Sequence, residues 1–135
     1  MAELRVAVEA AEKEFERLCT LRRIDIDEDG LTKKELTSLK KLRAKIVKEI
    51  SVGTLVVGED GTATYTPPVD GAKPLTFRMA KGATFMAMDD GKEQGEQHMM
   101  IAMLADLTGW PRGELSKLAA PDYTFCAALV GLFLG

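Results

Sequence analysis

The apolar positions of residues 3–19 fall on one narrow stripe. Leu4, Val8, Ala11, Phe15 and Leu18 recur at steps of three and four, the spacing of one helical face. Glutamate and arginine fill much of the other faces, so the segment reads as an amphipathic helix. Residues 32–50 repeat the pattern with Leu36, Leu39, Leu42, Ile46 and Ile50. Thr32 followed by Glu35 forms a capping box, in which each side chain can satisfy an exposed amide of the other. A polar turn, Asp25–Gly30, joins the two stripes. The pair predicts an antiparallel helical hairpin, with too little core of its own to stand without packing on something else.

The period changes after residue 52. Thr54–Val57 is apolar and β-branched, Glu59-Asp60-Gly61 signals a turn, and Thr62–Thr66 alternates. Pro67-Pro68 ends that strand and Asp70-Gly71 marks another turn. Pro74–Met79 reads as a third strand. Three short strands in meander order predict a small antiparallel sheet with one wet face. Helical spacing then returns. Phe85, Met86 and Met88 suggest a short turn before Asp89-Asp90-Gly91. A longer helix carries His98 to Leu107, with Gly95 inside its first turn. A short run, Glu114–Ala119, stops at Ala120-Pro121-Asp122. The last run, Tyr123–Leu134, is apolar on nearly every side.

The expected fold is therefore α+β: an N-terminal helical hairpin, a three-stranded antiparallel β meander and a C-terminal cluster of three to four helices. The division expected is a charged hairpin, 1–51, and a remainder, 52–135, with Ser51-Val52-Gly53 as the joint.

Composition narrows the function. The chain has 135 residues, 46% hydrophobic and 29% charged, which suits one ordinary globular domain or one with an appendage. A net charge of −3 leaves no basic footprint, so nucleic acid is not an expected partner. Cys19 and Cys126 lie far apart in apolar-patterned segments and read as buried free thiols of a reducing cytoplasm. The charged start predicts no signal peptide. The longest apolar run, Phe125–Leu134, is about half a membrane span, so no membrane partner is expected.

Candidate chemistry is sparse. Asp25, Asp27, Asp29 and Gly30 match four positions of a calcium-binding EF-hand loop, where acids ligate and glycine makes the sharp turn. The twelfth position needs a bidentate carboxylate and holds Leu36, with Glu35 one residue early. A solvated turn whose acids face the next helix N-terminus is the preferred reading. His98 is the only histidine and has no nucleophile at local spacing. Asp89, Asp90, Glu93 and Glu96 read as helix-start charges. No catalytic, cofactor or metal residue is assigned.

The methionines carry more. Six of seven lie between residues 79 and 103, and clustered methionine suits surfaces that adapt to partners. Met99, Met103 and Leu107 share one face, and Met100 and Leu104 the adjacent one. Phe125, Leu129 and Leu132 mark one face of the last run, with Phe133 on its neighbour. Such breadth exceeds what a small domain hides. A protein-binding surface is expected over Met99, Met100, Met103, Leu104, Leu107, Trp110, Tyr123, Phe125, Leu129, Leu132 and Phe133.

One ordered series carries a family resemblance: Thr64–Gly71, Leu75–Arg78, Lys81-Gly82-Ala83 leading to Met88-Asp89, Leu104–Pro111, Leu115–Leu118 and Asp122-Tyr123. It covers slightly over half the chain, roughly residues 65–135. In order and spacing it resembles the bacteriophage and prophage tail assembly chaperones, the small tail assembly proteins of Mu-like and related contractile-tailed phages. The resemblance implies a non-enzymatic factor in the host cytoplasm that binds the tape measure protein while tail tube protein polymerises around it. The hairpin at 1–50 departs from the short members of that family and leaves self-association into a homo-oligomer open. The alternatives are a structural subunit of the tail or virion, and a calcium-binding EF-hand-like interaction module.

Overall fold

A computed structural model describes residues 7–24 and 28–134, without the side chains of Met88 and residues 90–92. Six helices and three strands follow in order: α1 (Val8–Leu21), α2 (Lys33–Val52), β1 (Leu55–Val57), β2 (Ala63–Tyr65), β3 (Leu75–Phe77), α3 (Gly82–Lys92), α4 (Glu96–Thr108), α5 (Arg112–Leu115) and α6 (Ala120–Leu134). The architecture is the mixed α+β one: N-terminal helices, a three-stranded antiparallel sheet in the order β1-β2-β3, then C-terminal helices. No helix among the described residues is long and apolar enough to cross a membrane. The chain divides into two compact units, 1–74 and 75–135.

In the first unit α1 packs on α2, and both reach β1. Ala11, Phe15 and Leu18 of the predicted stripe are buried, while Val8 at its start stands 48% exposed. Leu4 lies outside the described residues. On α2 the stripe is buried only at Ile46 and Ile50; Leu36, Leu39 and Leu42 are half-buried. The capping pair forms in a variant geometry. Thr32 Oγ1 accepts from the Glu35 amide at 3.2 Å and donates to Glu35 Oε1 at 3.0 Å.

Both hairpin helices end in the Schellman pattern, in which two amides beyond the helix close onto its last carbonyls. For α1, Arg23 N donates to Thr20 O at 3.2 Å and Ile24 N to Cys19 O at 2.8 Å. Arg23 sits in the left-handed region at φ 57°. For α2, Gly53 takes that role at φ 87°, with Gly53 N to Ile50 O and Thr54 N to Glu49 O both at 3.1 Å.

The expected joint at residues 51–53 is therefore a helix cap within a unit. Side chains tie the hairpin onward to the strands. Arg17 Nη2 donates to Val57 O at 3.0 Å and Nη1 to Gly58 O at 3.2 Å. Arg22 Nε donates to Gly61 O at 2.9 Å. Arg22 is 8% exposed, and burial lowers its pKa to about 10 against the opposing charge of Asp60. β1 pairs antiparallel with β2, Val56 opposite Thr64. The turn between them is set by Asp60, whose Oδ1 accepts from Thr62 N at 3.1 Å and Thr62 Oγ1 at 2.8 Å.

The second unit is organised by α4, which packs on α3, α5, α6 and β3. Leu104 and Leu107 of α4, Leu115 of α5, and Phe125, Leu129 and Val130 of α6 are buried. Phe77 of β3 meets Phe133 edge-on, ring centroids 5.8 Å apart. Two expectations are corrected here. The segment 82–92 is a full helix of 11 residues that runs through Asp89-Asp90-Gly91, not a short turn ending before them. Gly95 is the N-cap of α4 at φ 104°, not a residue of its first turn. The last helix begins at Ala120, three residues before the apolar run from Tyr123, and takes in Pro121. That proline sits in the first turn, where a missing amide costs no helical hydrogen bond.

Candidate protein-binding surface

Among the described side chains, one polar contact ties α3 to α4. Thr84 is buried, and its Oγ1 donates to Asp106 Oδ2 of α4 at 2.5 Å. The same hydroxyl accepts from Lys81 N at 3.1 Å, capping the start of α3. Arg78 supports that end of the unit. Its amide donates to Leu107 O at 2.9 Å and its guanidinium bonds Asp106 O.

With Thr84 turned inward, helical geometry decides what faces out. Each residue advances about 100°, so Phe85 stands to one side and Met86 roughly opposite. Phe85 is 47% exposed and Met86 69% exposed. Single exposed apolar residues are normal on proteins. Two large adjacent ones on one helix form an apolar step that water wets at a cost.

A groove of about 450 Å³ lies elsewhere on this unit. Gln97, His98 and Ile101 of α4 form one wall. Tyr123 and Thr124 of α6 and Leu118 before it form the other. Burial raises the Tyr123 phenol above its ordinary pKa, with a smaller contribution from Cys126. The buried Cys126 thiol is pushed up to about 12, chiefly by burial and then by the charge of Asp122. Both cysteines are free and buried.

The predicted surface residues divide sharply. Met103, Leu104, Leu107, Phe125, Leu129 and Leu132 are buried. Met99, Met100, Trp110, Tyr123 and Phe133 are half-buried. The surplus of exposed apolar surface expected over residues 96–135 is thus not found at those six positions. The reason is in α6 itself. A helix apolar all round is a buried one, and α6 exposes only Ala120, Pro121, Thr124 and Gly131.

Sequence reading missed Phe85 as a surface residue and, in the groove, Gln97, His98, Ile101, Leu118 and Thr124. The signal for the α3 face was the methionine cluster, which included Met86. The calcium reading rested in part on Asp25 and Asp27, which lie outside the described residues. Glu28, Asp29 and Gly30 are exposed. No group of three or more metal-binding side chains is found among the described residues.

No family model, curated protein or solved structure matches this chain.

Proposed function

We propose that this chain is a phage tail assembly chaperone. It binds the tape measure protein in the host cytoplasm, keeps it from aggregating while tail tube protein assembles, and performs no catalysis. The observation that carries the reading is the exposed apolar step Phe85-Met86 on α3. It lies within the segment that resembles the family. Apolar side chains held out on a firmly anchored helix suit reversible cover for an apolar helix of a client. Covering the part of each still exposed contributes a fraction of the roughly 1.5–3 kcal/mol of a full burial, enough to matter and small enough to release. Methionine adds adaptability, since its unbranched chain conforms to different neighbours. Half-buried Met99 and Met100 on α4 extend the same chemistry.

The test is co-expression. A tape measure protein made with this chain is expected to remain soluble and to co-purify with it. A structural tail subunit is distinguished by mass spectrometry of purified particles, in which a chaperone is missing.

A further inference from the structure

The hairpin carries a groove of its own, about 430 Å³ in volume, between α1 and α2. Its lining positions on α2 are 40, 43, 44, 47, 48 and 51. They form one face over three turns, about 16 Å long at 1.5 Å per residue. The apolar part is Ala44 and Val47, with Val8 of α1 at one side, nearly half exposed.

Two further observations mark this groove as an incomplete surface. Ser51 lines it, is 1% exposed, and holds a buried Oγ with no hydrogen-bond partner. Buried hydroxyls are nearly always paired, so this one has unused bonding capacity at the groove wall. The rim is also basic: Lys40, Arg43 and Lys48 of α2 line it, in a chain whose net charge is −3. Arg43 is partly engaged, 3.4 Å from Glu16 and stacked over Phe15. Lys40 and Lys48 line the groove, are exposed, and form no ion pair among the described residues. Glu12 is the one acid in the lining.

We propose that this groove docks an acidic amphipathic helix of a partner protein. An apolar stripe of three turns lies against Ala44 and Val47, and flanking carboxylates meet Lys40 and Lys48. Recognition of this kind uses helix spacing for the apolar anchors and charge for selectivity. A nucleic acid would match the rim but not the apolar floor. The proposal stands on the hairpin alone and does not rest on the chaperone reading.

The experiment uses the full chain and two synthetic helix-forming peptides with the same leucine stripe. One carries glutamate at its flanking positions and the other lysine. Fluorescence anisotropy is expected to show binding of the glutamate peptide, weakened by salt, and little binding of the lysine peptide. Ala44→Trp fills the groove at an exposed position and is expected to weaken binding by about tenfold or more. Lys40→Glu with Lys48→Glu is expected to reverse the preference between the peptides. Circular dichroism confirms that each variant is folded. Equal binding of both peptides, no binding of the glutamate peptide, or binding indifferent to Ala44→Trp overturns the proposal. So does a dimer of the free chain that Ala44→Trp dissociates, which assigns the groove to a second copy. Tighter binding of a duplex oligonucleotide than of the peptide overturns it as well.

Discussion

Thr84 and Asp106 join α3 to α4: the buried threonine hydroxyl donates to Oδ2 of the half-buried carboxylate at 2.5 Å. That contact fixes which face of α3 turns inward and so which residues it presents. Thr84→Val keeps the shape and removes the donor. It leaves Asp106 without that partner and is expected to cost about 1–3 kcal/mol. Thr84→Ser is expected to retain most of the stability. Urea midpoints measure both, and equal midpoints for wild type and Thr84→Val would show that apolar packing alone holds α3.

The caps of α1 and α4 predict changes of opposite sign. Arg23 holds a left-handed conformation at φ 57° that glycine adopts freely. Arg23→Gly is expected to stabilise the chain by about 1 kcal/mol. Gly109 closes α4 at φ 73°, its amide donating to Ala105 O at 2.8 Å. A Cβ there meets nothing within 4 Å, so the penalty is conformational alone. Gly109→Ala is expected to destabilise by about 1 kcal/mol. Thermal melts of the two variants should move in opposite directions.

Cys126 predicts an alkaline limit. Its folded pKa is raised from 9.0 to about 12, so the folded state favours the neutral thiol. That stability is complete below pH 9.0 and is lost as pH climbs toward about 12. The slope approaches about 1.4 kcal/mol per pH unit within that window. Cys126→Ala is expected to flatten the fall relative to wild type. Identical pH profiles for the two chains would contradict the assignment. In the native chain near pH 8, alkylation of Cys126 is expected only on unfolding.

Much of the fold was legible because local signals agreed with one another. Leucine and isoleucine spacing, the Thr32–Glu35 cap and the turn residues around Gly61 all point where the chain goes. The length of α3 was misread because Asp89-Asp90-Gly91, near its C-terminal end, looks like a turn. An exposed helix can carry such residues when its inner face is anchored, here through Thr84. The pairing of Thr84 with Asp106 across 22 residues leaves no periodic trace. α6 misled in the other direction. Its apolar content was plain, but content alone does not distinguish a shared surface from a buried core. The net charge of −3 hid the basic run of α2, and its conjunction with Ser51 and Val8 was not legible because only the placement of α1 on α2 brings them to one groove.

The α3 face gives the most direct test of the chaperone reading. Phe85 and Met86 are exposed, so Phe85→Ser with Met86→Ser is expected to leave stability within about 0.5 kcal/mol per site. The measurement is the soluble fraction of a co-expressed tape measure protein and its recovery with the tagged chain. Wild type is expected to hold the client in solution and carry it through purification, and the equally stable double variant to lose both. A double variant that rescues the client as well as wild type, or a wild-type chain that never retains it, contradicts the account.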